Sequence, residues 1–228
     1  LHKRGLLLDK AVFLNDINPE LVNLYSVLRS DCERLIEELT KHKKLHGEEY
    51  YYQVRAQKLR SPLKRAARLV YLNRTCFNGL YRVNSKGEFN VPMGRYKDPN
   101  ICEEEKLRAA ALALNGVHLS EGSYLSCVER AKPGDLVYFD PPYIPLNATA
   151  YFTSYTKENF SLRDQEQLAE TFAQLARRGV KVLLSNSDTS EVRNLYKEFE
   201  QVQIYVSRAI NSKADGRRKI SELLIKSS

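Results

Sequence analysis

The sequence predicts an α/β fold: a doubly wound sheet interrupted by a long, mostly helical insertion that carries a β-hairpin. Three observations lead there. Short apolar runs, such as Leu136-Val137-Tyr138-Phe139 and residues 180–184, alternate with amphipathic helical segments in the second half of the chain. Residues 30–75 read as helical throughout and contain no convincing strand. Two extended runs flank Ser85-Lys86-Gly87, the pattern of a hairpin. With 228 residues, the chain can bury one sizeable core, or a core plus an inserted subdomain.

The elements follow in order. Ala11-Val12-Phe13-Leu14 reads as a buried strand ending at Asn15-Asp16. Asn18-Pro19-Glu20 then starts a helix: Asn caps, Pro fits the first helical position and Glu favours the positive end of the dipole. Leu21, Leu24, Tyr25 and Leu28 give it one apolar face. Ser61-Pro62 repeats the cap-then-proline signal, and Ala66, Ala67, Val70 and Tyr71 continue the helical pattern. The hairpin arms are Leu80-Tyr81-Arg82-Val83-Asn84 and Glu88-Phe89-Asn90-Val91. A helix is expected over 102–114, a strand over 117–119 and a helix over 123–130. Leu136-Val137-Tyr138-Phe139 is wholly apolar, as in a parallel strand covered on both faces. Residues 161–178 form a helix with a Ser cap and Gly179 past its end, followed by a strand over 180–184. Asp188 and Glu191 have capping-box spacing. Residues 203–206 and 221–225 supply the last two strands, joined by a basic loop.

The formal net charge is +8, and its distribution is uneven. Residues 77–97 hold Arg82, Lys86, Arg95 and Lys97 against Glu88; residues 208–219 hold Arg208, Lys213, Arg217, Arg218 and Lys219 against Asp215. These two segments account for nearly all of the excess. Both are rich in Gly, Asn and Ser, so they are either solvated loops or surfaces for a phosphate backbone. No run approaches the ~20 apolar residues of a spanning helix, and the first residues have too short an apolar stretch for a secretory signal. Cys32, Cys76, Cys102 and Cys127 form no CxxC pair, and His2, His42, His46 and His118 are scattered. Reduced thiols and no metal are expected.

The chemistry concentrates at Asp140-Pro141-Pro142-Tyr143, directly after an apolar strand, where open α/β sheets bind ligands. Two prolines stiffen the backbone and remove two N–H donors, leaving carbonyl acceptors between a carboxylate and an aromatic face. Such a pocket suits the exocyclic amine of a flipped nucleobase. That amine is a poor nucleophile, and acceptors on its hydrogens favour the charge that develops when it is alkylated. The bland alternative is a proline-stiffened loop with a capping Asp.

These residues, with Asn15-Asp16-Ile17-Asn18, Asn78-Gly79-Leu80-Tyr81-Arg82-Val83-Asn84, Gly87-Glu88-Phe89-Asn90-Val91-Pro92, Gly94-Arg95-Tyr96-Lys97 and Leu184-Ser185-Asn186, resemble the Dam-type DNA adenine-N6 methyltransferases over nearly the whole chain. DPPY is shared with some RNA and protein methyltransferases; the hairpin block is more specific. The resemblance implies a Rossmann-like class I methyltransferase sheet built from residues 1–28 and 115–228. It also implies an inserted, mostly helical DNA target-recognition domain over 29–114, with its hairpin at 77–97. S-adenosylmethionine is implied as methyl donor. Asp16 would bind its ribose hydroxyls, Ile17 would pack on its adenine, and Ser123 and Tyr124 would contact that ring; many relatives have Asp where Ser123 stands. Asp140 would contact both the cofactor and the target amine. The Pro141 carbonyl would take the second amine hydrogen beside Pro142, and Tyr143 would stack on the flipped base. In the hairpin, Leu80 would be an apolar wedge, Arg82 would read a guanine, and Asn84 and Pro92 would make further base contacts. Asn78, Arg95, Tyr96 and Lys97 would bind phosphates.

The implied substrate is double-stranded DNA, with GATC as target, and the implied enzyme is a monomer or weak dimer on DNA, cytoplasmic, of prokaryotic or phage type. A restriction–modification role is one setting for such activity. The competing readings are a non-catalytic DNA-binding fragment and an RNA methyltransferase; the long inserted helical region and hairpin disfavour the second. Family members open with a lysine-containing segment and a glycine-rich loop on the central strand. Here Gly5 is the only glycine before Asp16. The expectation is therefore an active parent protein and an isolated 228-residue chain that binds cofactor poorly.

Overall fold

A computed structural model describes residues 11–144, 160–207 and 219–227. The chain divides into two compact units, Leu1–Cys127 and Val128–Ser228.

In the first unit, β1 (Val12–Asp16) leads into α1 (Pro19–Ser30) through a tight local exchange. Asp16 Oδ1 accepts from the Asn18 N–H at 2.7 Å, and Asn18 Oδ1 accepts from the Glu20 N–H at 3.0 Å. Pro19 loses nothing at the first helical position, where its missing N–H would have no intrahelical partner. The expected helical run breaks into α2 (Cys32–Leu45), α3 (Glu48–Ala56) and α4 (Pro62–Thr75). The interruptions fall at His46-Gly47 and ahead of Pro62, which cannot continue a helix and pushes Ser61 into extended backbone.

These helices enclose the unit's core: Leu35, Leu39, Tyr51, Val54, Ala66, Ala67, Tyr71 and Leu72 are buried together. Burial pushes the Tyr71 hydroxyl up to about 12. Arg65 holds Glu20 with two nitrogens, Nη2 at 2.6 Å and Nε at 3.1 Å, pinning α4 to α1. After α5 (Glu104–Ala113), β2 (Val117–Glu121) pairs parallel to β1, from Val12 opposite Val117 to Asp16 opposite Glu121.

The hairpin between α4 and α5 is thinner than the sequence pattern suggests. Its pairing consists of two isolated bridges, Cys76 with Met93 and Val83 with Phe89. Pro92 has no N–H to give a ladder. Asn84 closes the turn by itself: its side-chain oxygen accepts from the N–H groups of Lys86 and Glu88. The root is tied by the Gly94 N–H to the Thr75 carbonyl at 2.8 Å and the Phe77 N–H to the Pro92 carbonyl at 2.9 Å. A Cβ at Gly94 would lie 2.8 Å from the Cys76 carbonyl, so only glycine fits there. The chain leaves α4 through two left-handed residues, Asn78 at φ 55° and Gly79 at φ 62°.

α6 (Leu125–Arg130) runs across the division between the units. In the second unit, β3 (Leu136–Phe139), β4 (Lys181–Ser187), β5 (Glu200–Ser207) and β6 (Lys219–Lys226) form a sheet in the order β3-β4-β6-β5. β3 and β4 are parallel, while β6 is antiparallel to both its neighbours. α7 (Leu162–Arg177) lays Leu168, Ala169, Phe172 and Leu175 into the core beside Val182, Leu184, Leu223 and Ile225. Its N-terminus is a complete capping box between Ser161 and Asp164.

Two expectations are corrected here. β3 is not covered on both faces: Leu136 is 52% and Tyr138 57% exposed, and the Tyr138 hydroxyl pairs with Ser185 Oγ. The cap of α8 (Ser190–Leu195) is Thr189, not Asp188, because Asp188 is drawn off to Arg193 and Gln203. The basic loop expected over 208–219 lies, apart from Lys219, outside the described residues. Among the described residues, no helix is long and apolar enough to cross a membrane, and no cluster of three His, Cys, Asp or Glu could hold a metal.

Candidate functional site

At the C-terminal ends of β1 and β2, backbone and side-chain hydrogen bonds latch two short segments together. The Gly122 N–H donates to the Asp16 carbonyl at 3.0 Å. Asn15 Nδ2 returns a bond to the Gly122 carbonyl at 2.8 Å, and Ser120 Oγ donates to Asn15 Oδ1. This sets Asp16 and Ile17 beside Ser123 and Tyr124. Ile17 is apolar yet 57% exposed, next to a carboxylate at a strand end. Ser123 Oγ accepts from the Leu125 N–H at 3.3 Å, so this side chain turns partly inward on its own chain. An exposed apolar face, a strand-end carboxylate and adjacent polar groups fit a nucleoside, whose ring needs a flat contact and whose diol needs an acceptor.

In the second unit, Asp140 directly follows β3, and the β3–β4 register sets Phe139 opposite Leu184. The next residue along β4, Ser185, therefore reaches Asp140: its Oγ donates to Oδ1 at 3.0 Å and meets the Tyr138 hydroxyl at 2.9 Å. Pro141 and Tyr143 are half-buried and Pro142 is exposed. The Tyr143 hydroxyl donates to Glu222 Oε2 at 3.4 Å, and burial raises its pKa above the ordinary phenolic value. The loop is braced from behind by side chains. Gln165 Nε2 donates to the Pro142 carbonyl at 2.7 Å. Asn186 Oδ1 accepts from the Ile144 N–H at 3.1 Å, and Ser187 Oγ donates to the Ile144 carbonyl at 2.7 Å.

The third group lies in the hairpin. Leu80 is half-buried against the helical core, while Arg95, Tyr96 and Lys97 are exposed. Arg82 does not project alone: its Nε donates to Asn90 Oδ1 at 2.7 Å across the arms. Asn84 is engaged in the turn, and Pro92 offers its carbonyl to Phe77. Tyr51 Oη donates to the Val91 carbonyl at 2.9 Å and Arg55 Nη1 to the same atom at 3.1 Å, fastening the second arm to α3. Behind the hairpin, α3, α4 and the turn enclose an open cleft of about 660 Å³ lined by Arg55, Lys58, Arg65, Arg68 and Lys86. Most of those cations have structural partners. Arg65 holds Glu20, Lys58 holds Glu88, and Arg68 donates to the carbonyls of Val54 and Arg55.

Sequence reasoning gave no role to Gln165, Ser185, Asn186, Tyr138, Glu222 or Asn90. Gln165 carries a usable signal: it stands at helical spacing from Leu168, Ala169, Phe172 and Leu175, a polar residue in an apolar stripe.

Residues 5–210 match the family described as D12 class N6 adenine-specific DNA methyltransferase. The chain is 44% identical over 225 residues to a type II methyltransferase of Lactococcus lactis subsp. cremoris, covering 95% of this chain and 79% of that protein. It is 42% identical over 230 residues to a type II methyltransferase of Methanocaldococcus jannaschii, covering 95% and 80%. To the DNA adenine methylase of Escherichia coli strain K12 it is 40% identical over 227 residues, covering 94% and 81%.

Proposed function

The chain belongs to the D12 class N6 adenine-specific DNA methyltransferases, and on that premise we propose how its own residues divide the work of methylating adenine in DNA. The methyl donor is S-adenosylmethionine, which when bound supplies the electrophilic methyl group. Asp16 and Ile17 with Ser123 and Tyr124 hold its nucleoside portion, the carboxylate on the ribose hydroxyls and the exposed Ile17 face on the ring. The latch between Asp16 and Gly122 supports this grouping.

Residues 29–114 select the target, and the sheet residues on either side do the chemistry in a Rossmann-like arrangement. Arg82 reads a guanine edge, a contact worth roughly 1–3 kcal/mol of discrimination. Asn84 and Pro92 touch neighbouring bases, and Leu80 fills the gap left in the stack. Asn78, Arg95, Tyr96 and Lys97 hold phosphates. The target word is GATC.

At the flipped adenine, the Asp140 carboxylate and the Pro141 carbonyl accept the two amine hydrogens, and Tyr143 stacks on the ring. Acceptors on both amine hydrogens push electron density back onto the nitrogen and favour its rehybridised form over delocalisation of the lone pair into the ring, and a fixed carboxylate stabilises the positive charge on nitrogen. The observation that carries this reading is the bond from Ser185 to Asp140 at the end of β3, which aims the carboxylate before any substrate arrives.

The test is labelled methyl transfer to a GATC duplex, a scrambled duplex and RNA. Transfer to the GATC duplex alone is expected. Transfer to RNA in preference, or equal transfer to both duplexes, overturns the target assignment. Asp140→Ala should abolish transfer while duplex binding persists; equal loss of both would remove Asp140 from the chemistry.

A further inference from the structure

We propose that Gln165 and Asn186 are a positioning pair that decides which of two adjacent carbonyls meets the target amine. The inference rests on the reading of Asp140 to Tyr143 as the catalytic loop and deepens it.

Proline cannot donate, so the Pro141-Pro142 step cannot brace itself through its own N–H groups. The bracing comes instead from two buried amides, Gln165 at 2% exposure and Asn186 at 0%. Gln165 Nε2 donates to the Pro142 carbonyl at 2.7 Å, while its Oε1 accepts from Asn186 Nδ2 at 3.1 Å. Asn186 Oδ1 accepts from the N–H groups of Ile144 and Ser187 at 3.1 and 2.8 Å.

Each amide therefore has one permitted orientation. Turning Gln165 over would set its oxygen against the Pro142 carbonyl and its NH2 against the Asn186 NH2. Turning Asn186 over would set its NH2 against two backbone N–H donors. In a buried site both arrangements leave unsatisfied polar groups, which is costly. The orientation thus runs from the Ile144 N–H through Asn186 and Gln165 to the Pro142 carbonyl.

The consequence is a choice between neighbours. The Pro142 carbonyl is occupied from within the protein. Among the described residues no donor reaches the Pro141 carbonyl, which is left for the second amine hydrogen. Without Gln165, both carbonyls are available and the loop can rotate between them. A displacement of about 1 Å at a reacting group can cost roughly 10²-fold in rate.

The experiment compares Gln165→Leu and Gln165→Glu with wild type in the natural full-length protein. It reads the single-turnover methyl-transfer rate to an adenine-containing duplex, duplex Kd, and folding by circular dichroism from about pH 5 to pH 8. Gln165→Leu should lose roughly 10²-fold in rate with duplex Kd within a few-fold of wild type. Gln165→Glu should be as slow at neutral pH, where an ionised carboxylate repels the Pro142 carbonyl. It should recover as pH falls, because the protonated acid regains an O–H donor for Pro142 and keeps an acceptor for Asn186. Burial raises such a carboxyl into the assayed range.

Asp140, Tyr138, Tyr143 and Glu222 are the ionisable groups around the same loop, and Asp164 sits in the α7 capping box. All are common to both variants, so Gln165→Leu measured in parallel subtracts them. A wild-type rate in Gln165→Leu, or a Gln165→Glu profile parallel to that of wild type, overturns the proposal. If Gln165→Leu fails to fold, Gln165→Glu carries the test, and a rate that merely tracks its folded fraction also overturns it. Asp140→Ala separates the two levels. If that variant transfers normally, the catalytic-loop reading fails; if it is inactive while both Gln165 variants are normal, only the positioning role fails.

Discussion

Replacing Ser185 by Ala removes one atom, and the structure gives the size of its effect. Ser185 Oγ donates to Asp140 Oδ1 at 3.0 Å, and a hydrogen bond to a charged acceptor contributes about 1.5–3 kcal/mol. Asp140 is exposed, so water competes for its carboxylate, and the low end applies, about 1.5 kcal/mol. Each 1.36 kcal/mol is about tenfold in rate, which gives about a tenfold fall in single-turnover methyl transfer. Stability should fall only by the value of that one bond. The Tyr138 hydroxyl that loses its partner belongs to a largely exposed side chain and can take a water, and the β4 backbone pairing with β6 is untouched. The cost should be about 1.5 kcal/mol, the low end for a bond to a charged acceptor, and the melting temperature should fall by about 3–6 °C for a chain of this size. The assay is methyl transfer with enzyme in excess of duplex, beside duplex Kd and thermal melting. A rate within twofold of wild type, or a loss confined to duplex affinity, would refute the argument that Ser185 aims Asp140.

Three further outcomes follow from other parts of the molecule. Arg82→Ala should relax sequence choice at one position, whereas Lys97→Ala should weaken every duplex alike and lower the salt slope by about one unit; competition binding across duplexes and salt concentrations checks both, and a uniform loss for Arg82→Ala removes it from base reading. Tyr51→Phe should destabilise the protein by about 1 kcal/mol, because the Val91 carbonyl keeps its second donor in Arg55; urea unfolding showing a loss above about 3 kcal/mol would mean that Arg55 does not replace it. His42, stacked on Tyr71 at 4.7 Å and bonded to the Tyr50 hydroxyl at 2.8 Å, has its pKa lowered chiefly by burial. The unfolded chain then takes up the proton first on acidification, so the stability that neutral His42 contributes is complete above about pH 6.5. It is lost as pH falls through the depressed folded value. Urea midpoints should drop from pH 7 to pH 5, less steeply in His42→Gln; an unchanged slope would place the titration elsewhere.

What could be read without the structure was local. Asn18-Pro19 and Ser61-Pro62 start helices because cap and proline act on their own neighbours within one turn. The address of Asp140 was equally legible, since a carboxylate after an apolar run needs only the strand to be recognised. The roles of Ser185 and Asn186 were not, although both residues stand out in the sequence, because they depend on the register that sets Phe139 opposite Leu184. Thr189 takes the cap from Asp188 for a similar reason: Arg193 and Gln203 compete for the carboxylate, the latter from a strand fifteen residues away. Composition shows that Arg82 is basic and in a hairpin; only the paired arms show that Asn90 holds its guanidinium.

The bonds from Gly94 to Thr75 and from Phe77 to Pro92 close the hairpin where it leaves α4, and the buried Val83, Phe89 and Val91 keep it seated. The exposed Ser85 and Lys86 and the half-buried Arg82 and Asn84 lie beyond that closure. A segment closed in this way behaves as a cassette, whose outer letters can be rewritten without retuning the bundle that carries it. On the reading proposed above, in which the hairpin selects the target, its outer residues could change while the methylation chemistry stays constant, and Gly94, where a Cβ would lie 2.8 Å from the Cys76 carbonyl, keeps the closure in place.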